Sequence, residues 1–284
     1  MKSKELKIFA VFGNPIAHSL SPLMHLAALD RMGIPARYVP FCVTDLQKAV
    51  EGIRGLNIAG VSITLPFKSS ILPYLDETDE KARQMGAVNT VWNDQGVLKG
   101  YNTDWLGFVL SLKEHLDIQG KRFAVIGAGG AARAVVFGLI QEGGRPFILN
   151  RTPEKAQALA QAFGCPFFPW SQITEIEAEV LVNTTPVGMS PQREASPFPK
   201  ELLRRFPWVV DIIYNPLKTR LLREAEESGC RTIDGLGMFV HQGAEQLKIW
   251  TGMEPPRPFM GEVVRNHLLS LEEMNPPREE DQTL

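Results

Sequence analysis

The chain has 284 residues, enough for two ordinary domains or one large one. Its 44% apolar content suits a globular protein, and a net charge of −2 argues against a general binder of nucleic acid or other polyanions. No apolar run approaches the roughly 20 residues of a membrane helix, and Cys42, Cys165 and Cys230 are widely separated with no C-x-x-C, which fits a reducing cytoplasm rather than disulfides or a metal.

Met1–Lys7 leads straight into apolar Ile8–Phe12, too short a run, too soon followed by Gly13-Asn14-Pro15, for a signal peptide. Residues 7–12 read as a strand. Ser21-Pro22 starts a helix reaching about residue 32, with serine as N-cap and proline at the first helical position. Ser19 and Ser21 are two apart, so in an extended segment both hydroxyls point the same way and can grip a polyhydroxy or carboxylate ligand. Capping alone also accounts for Ser21, but not for Ser19. A second strand covers 38–43. Thr44 is expected to cap a helix over 45–54. A third strand, 59–64, is stopped by Pro66.

Thr64 and Lys68 fall at or just past the end of that third strand, where open α/β sheets bind ligands. Lys68 is either a solvated surface group or a proton donor withdrawn from water. Short helices at 69–75 and 78–85, then a hairpin of 87–92 and 96–100, predict a parallel or mixed sheet for this part. Asn89 is polar in an apolar strand, either a satisfied core amide or a ligand contact. Asp104 is either the N-cap of a helix over 105–116 or a carboxylate that holds a substrate hydroxyl and pairs with Lys68.

The apolar run 122–126 then turns through Gly127, Gly129 and Gly130 into a helix over 131–140. Gly127-x-Gly129-x-x-Ala132 between strand and helix is a dinucleotide-binding pattern. Glycines let the backbone approach a pyrophosphate, and the helix N-terminus faces it with free N–H groups. The bare pattern also suits a tight turn with no ligand. The next strand, 146–149, decides between them. An NAD site carries an acidic residue roughly 20 residues after the first glycine. Here stand Asn150, Arg151 and Thr152, with Lys155 one turn into the helix that Pro153 begins. A guanidinium suits a 2′-phosphate, so the expected cofactor is NADP. Thr152 also reads as the N-cap of helix 153–163.

Strands near 166–168, 179–183 and 208–213, a helix at 220–228 and a short strand at 231–234 complete a doubly wound, Rossmann-like sheet. The loop Asn183–Met189 is expected to border the nicotinamide half of the cofactor. Tyr214 stands at the edge that meets a substrate from the cofactor side. Helices over 236–251 and 257–272 are expected to pack back on the first part. Met238, Gln242 and Gln246 share one face of the first of them. Residues 272–284 read as a frayed tail. The expected fold is α/β with two α/β domains. A Rossmann-like dinucleotide-binding domain covers 105–235. An N-terminal substrate domain, 1–104, is completed by C-terminal helices within 236–284, and a cleft lies between the domains.

Taken together these motifs resemble the shikimate dehydrogenase family, within the shikimate/quinate dehydrogenases. The resemblance runs from Ile8 to about His267. It rests on Gly13-Asn-Pro with His18-Ser-x-Ser-Pro22, Thr64-x-Pro-Phe-Lys68, Gly86-Ala-Val-Asn-Thr90, Asn102-Thr-Asp104, Gly127-Ala-Gly-Gly-Ala-Ala-Arg133, Asn150-Arg-Thr152, Asp211-x-x-Tyr-Asn-Pro216 and Gly237-Met238…Gln242. One departure is Leu26 after His25, where the family usually carries asparagine. The resemblance implies NADPH-dependent reduction of 3-dehydroshikimate to shikimate in aromatic amino-acid biosynthesis. It implies substrate binding by Ser19, Ser21, Thr64, Lys68, Asn89, Asp104, Tyr214 and Gln242, with Lys68 and Asp104 catalytic. It implies cofactor binding by Gly127, Ala128, Gly129, Gly130, Ala131, Asn150, Arg151, Thr152 and Lys155, with Met189, Ile212, Gly235 and Met238 on the nicotinamide side. No metal is expected. A small-molecule substrate, no nucleic acid, no membrane, a cytoplasmic location and a homodimer are the remaining expectations. Two alternatives stay open: a quinate or dual quinate/shikimate dehydrogenase, and a sensor that binds such ligands without turnover.

Overall fold

The structure, a computed structural model, describes residues 6–274. Two six-stranded sheets lie in sequence order. The first is built from β1 (Lys7–Gly13), β2 (Ala36–Cys42), β3 (Gly60–Ile63), β4 (Glu77–Thr78), β5 (Thr90–Asp94) and β6 (Val97–Tyr101), in the spatial order β2-β1-β3-β5-β6-β4. β1 pairs parallel with β2 and β3, while β5 runs antiparallel to both β3 and β6, so the sheet is mixed. The second holds β7 (Arg122–Ile126), β8 (Arg145–Asn150), β9 (Phe167–Pro169), β10 (Val180–Asn183), β11 (Trp208–Asp211) and β12 (Arg231–Ile233). It is wholly parallel, in the order β12-β11-β10-β7-β8-β9. Its order reverses between β7 and β10, the point where doubly wound sheets open a ligand crevice at their carboxyl ends.

Strand alternation builds four of the cores. Phe9 and Val11 of β1 pack with α1 (Ser21–Arg31), α9 (Leu236–Thr251) and α10 (Arg257–Met274), while Ala10 and Phe12 face the opposite side, toward α2 (Leu46–Gly55) and α3 (Glu80–Met85). In the second sheet Phe123, Val125, Val180 and Val182 face α4 (Asp104–Lys113), α5 (Gly130–Gln141) and α6 (Pro153–Phe163). Ala124, Ile126 and Leu181 face α7 (Lys200–Leu203) and α8 (Arg220–Glu227). Burial on both faces is why these strands read as continuous apolar runs. The last two helices do return to the first sheet, where Trp250 donates to the Val91 carbonyl at 3.0 Å.

Several local expectations are corrected. Asp45, not Thr44, caps α2, its carboxylate accepting from Lys48 N at 3.1 Å. The helix expected at 69–75 is one 3-10 turn, Leu72–Tyr74, and α3 starts only after Asp79 caps it, because Glu77–Thr78 joins the sheet as β4. The hairpin sits later than expected, at Thr90–Asp94 and Val97–Tyr101, and α4 stops at Lys113. Ser21 is the first helical residue and makes no capping bond. Thr152 holds the N-cap place of α6 without a side-chain bond. Thr103 precedes α4, which makes Asp104 the first residue of the helix rather than its cap. The expected tail beyond 274 and the segment before Leu6 lie outside the described residues.

Candidate active site

A cavity of about 170 Å³ opens between the carboxyl ends of the two sheets. All eight residues expected at the substrate line it: Ser19, Ser21, Thr64, Lys68, Asn89, Asp104, Tyr214 and Gln242. They come from six places in the chain, so no single local pattern gathers them.

Lys68 leaves the turn after β3, whose backbone is tied to the segment just before β5 by Val88 N donating to the Lys68 carbonyl at 2.7 Å. Its Nζ lies 2.6 Å from Asp104 Oδ2, and the two side chains are 19% and 6% exposed. Only one ammonium N–H is used there, so the others stay free to meet a ligand in the cavity. Asp104 sits in the first turn of α4, where the helix dipole favours a carboxylate. Its backbone N–H is held by Asn102 Oδ1 at 3.0 Å. Asn89 resolves its two readings into one. It is a satisfied buried amide, donating to Asp104 Oδ1 at 2.8 Å and Thr103 Oγ1 at 2.9 Å while accepting from Thr103 N at 2.8 Å, and it also lines the cavity. Burial pushes the Tyr214 phenol up to about 12, so it remains a neutral hydroxyl; its ring stacks on Phe239 at 4.0 Å.

The helices that carry Asp104 and Gln242 cross with no room to spare. A Cβ on Gly107 of α4 would lie 2.8 Å from Gln242 N and Cβ and 2.9 Å from Met238 O. Glycine there allows α4 and α9 to meet backbone to backbone.

On the cofactor side, Gly127 has φ +118°, a conformation side chains rarely adopt, and a Cβ there would lie 2.5 Å from Thr184 Oγ1. Gly129 faces open space, and α5 begins with no side chain capping its N–H groups. A free helix N-terminus above an open glycine turn suits a pyrophosphate. Asn150 ends β8 beside this turn, its Nδ2 donating to the Thr152 carbonyl at 2.9 Å. Arg151, Thr152 and Lys155 are exposed beyond it, and Arg151 makes no ion pair among the described residues. A dinucleotide phosphate therefore meets donors and a cation without displacing any existing pair. Ala131, Ile212 and Met238 reach the cavity wall. Gly235 lines a smaller gap beside Ile212 and Met238, and a Cβ there would collide with the Ile212 carbonyl. Met189 is 44% exposed and is not among the cavity residues. The groups of His, Cys, Asp and Glu among the described residues include no cluster of three that could hold a metal.

The cavity residues not singled out from the sequence are Val11, Ser62, Ile63 and Phe239. Ser62 was findable, because it lies two before Thr64 in a strand and so shares its face. Gln246 lies on the helical face from which a glutamine is expected to reach into the cleft, and it lines the cavity. In the structure Tyr38 donates to Ser62 Oγ at 2.6 Å, Ser62 donates to Gln246 Oε1 at 2.7 Å, and Gln246 Nε2 donates to the Asn89 carbonyl at 3.0 Å. Phe239 carried no signal, since an apolar residue on a buried helix looks the same whether it faces core or ligand.

Comparison with known proteins gives three family matches along the chain. Residues 11–91 match the shikimate dehydrogenase substrate binding domain, 110–186 match shikimate/quinate 5-dehydrogenase, and 235–265 match the shikimate 5′-dehydrogenase C-terminal domain. A shikimate dehydrogenase (NADP+) of Geobacillus kaustophilus is 46% identical over 259 residues, covering 88% of this chain and 94% of its own. A solved shikimate dehydrogenase in complex with NADP+ aligns with a TM-score of 0.86 at 39% identity, over 93% of this chain and 96% of that one. A shikimate 5-dehydrogenase of Thermus thermophilus, solved with NADP(H) and shikimate, aligns with a TM-score of 0.83 at 41% identity, over 92% and 99%.

Proposed function

The chain belongs to the shikimate dehydrogenase family and interconverts 3-dehydroshikimate and shikimate as an NADP-dependent oxidoreductase; we propose that Lys68 and Asp104 are its catalytic pair. The observation that carries the proposal is the 2.6 Å contact between the Lys68 ammonium and the Asp104 carboxylate on the wall of a cavity that the cofactor loop also reaches. When bound, NADP(H) supplies or accepts the hydride at the ring carbon. The chain must then manage the oxygen on that carbon. In reduction the oxygen gains negative charge and needs a proton, which the Lys68 ammonium can give or whose charge it can hold. Asp104 keeps that ammonium aimed and accepts a bond from the substrate hydroxyl, and Asn89 in turn fixes Asp104. Ser19, Ser21, Thr64 and Tyr214 supply hydroxyls for the carboxylate and ring hydroxyls, and Gln242 adds an amide.

We assign residues 105–235 to the cofactor half and 1–104 with 236–284 to the substrate half. Support comes from the single apolar core that joins β1, α1, α9 and α10. Gly127–Ala131, with Asn150 and Arg151, hold the cofactor phosphates, and Thr152 and Lys155 stand beside them. Free Cys42, Cys165 and Cys230 suit a cytoplasmic location. A homodimer draws support from the open edge of β2, where Phe41 is exposed, and light scattering tests it. The deciding assay is NADPH formation from shikimate and NADP+, with quinate and NAD+ in parallel. Turnover of shikimate with NADP+ well above both controls is expected. Faster turnover of quinate, or binding without turnover, would overturn the reading.

A further inference from the structure

Asp211 ends β11 fully buried, and it makes no ion pair among the described residues. Its carboxylate accepts from Asn183 Nδ2 at 3.0 Å and Ile213 N at 3.1 Å on Oδ1, and from Thr219 Oγ1 at 2.7 Å on Oδ2. Asn183 ends β10, also fully buried, and its Oδ1 accepts from Thr185 N at 3.0 Å and Thr185 Oγ1 at 2.7 Å. Between these two, Thr184 donates through Oγ1 to the Ile126 carbonyl at 2.6 Å and fills the space beside Gly127. Ile212 N donates to the Asn183 carbonyl at 3.2 Å. Two residues after Ile212, Tyr214 joins it on the cavity wall. A continuous set of contacts thus runs from the glycine turn, through Thr184, Asn183 and Asp211, to the substrate cavity.

A carboxylate is an expensive way to tie two loops. Burial pushes the Asp211 carboxyl up to about 7 in spite of its three donors. An amide would remove the cost of a buried charge, whereas an apolar residue would leave the Asn183, Ile213 and Thr219 donors without their acceptor. What the carboxylate provides is three strong acceptor bonds that converge from two different loops and the start of α8.

We propose that Asp211 is a positioning residue that clamps the loop after β10 to the loop after β11 and so holds Ile212 and Tyr214 in register with the glycine turn. The proposal rests on reading the cavity as the place of hydride transfer. Its effect is on approach geometry: a displacement of about 1 Å at the reacting atoms can cost on the order of a hundredfold in rate.

The test is the single-turnover rate constant of NADPH formation at saturating shikimate and NADP+, followed by stopped flow in wild type, Asp211→Asn, Asp211→Ala and Thr185→Val. A rate constant does not depend on the fraction of folded enzyme, so mere loss of protein lowers only the amplitude. Asp211→Asn keeps the shape and loses at least the Thr219 bond as now made. Its rate constant is expected to fall about tenfold, with KM for NADP+ within about threefold of wild type. Asp211→Ala falls further. Thr185→Val, which removes the hydroxyl's bond to Asn183 Oδ1 and the one it accepts from Val187 N and leaves the core intact, falls about threefold and decides the matter if the Asp211 variants do not fold. Rate constants within twofold of wild type in the folded variants would overturn the clamp, as would a loss confined to KM. If wild type itself forms no NADPH from shikimate, the reading of the cavity has failed instead.

Discussion

Replacing Lys68 by alanine removes one ammonium and should separate catalysis from binding. In the ground state the reacting oxygen is neutral, and its hydrogen bond to the Lys68 ammonium is worth about 1.5 kcal/mol, the low end of the range for a charged donor. KM should therefore rise by about tenfold at most. In the transition state the oxygen carries charge, and losing one preorganised donor costs about 10²–10³ in kcat, with comparable loss for a missing general acid. A fall of about 10³ in kcat, or about 4 kcal/mol, is expected. The variant also leaves the Asp104 carboxylate, 6% exposed, with Asn89 as its remaining side-chain partner. Because Lys68 is 19% exposed and the cavity admits water, the stability cost is discounted to about 1 kcal/mol, well below that of a fully buried broken pair. Lys68→Met is the companion variant. It keeps the stem that lies against Gly130, where a Cβ would be 3.1 Å from Lys68 Cβ, and loses only the charge. Steady-state kinetics in both directions, with circular dichroism to check the fold, measures all of this. A kcat within tenfold of wild type in either folded variant would refute the catalytic role of Lys68.

Arg151→Ala should cut the NADP+ to NAD+ preference by about tenfold to a hundredfold, since one charge-assisted contact to a 2′-phosphate is worth about 1.5–3 kcal/mol; an unchanged ratio of kcat/KM values removes Arg151 from the cofactor site. Gly107→Ala gains up to about 1 kcal/mol in helix propensity but forces a Cβ against the Gln242 and Met238 backbone, at about 1–3 kcal/mol. A lower Tm by calorimetry and a lower kcat are expected, and an unchanged or raised Tm would show that α4 and α9 can part freely. His25 is fully buried, and desolvation lowers its pKa from 6.5 to about 4. The unfolded chain therefore binds the proton first, so His25 costs no stability above about pH 6.5 and takes away up to about 3 kcal/mol as pH falls to about 4. Urea titrations across that window should show stability falling with pH, and a smaller fall in His25→Gln. Equal slopes would show that His25 charges freely in the fold.

Much of the site was legible because its residues stand at strand ends. Thr64 and Lys68 follow β3, Tyr214 follows β11, and the glycine turn follows β7, so the rule that α/β sheets bind at their carboxyl edges was enough to select them. Local capping was legible only in part. Thr44 and Asp45, or Thr103 and Asp104, are adjacent residues of similar capping propensity. Which one stands at the cap depends on where the preceding strand lets the helix begin.

The sequence by itself determined the two-sheet α/β plan and the glycine turn. These rest on periodicity and residue chemistry, which act over a few neighbours. Only the tertiary structure decided that Lys68 and Asp104, 36 positions apart, meet at 2.6 Å, and that Asn89 serves core and cavity at once. It alone placed Ser62 and Phe239 on the cavity wall and joined Asp211 to the glycine turn through Asn183. Such contacts depend on the register of β10 against β7 and β11 and on the crossing of α4 over α9 at Gly107. Those are set by packing between distant segments, and no local pattern records them.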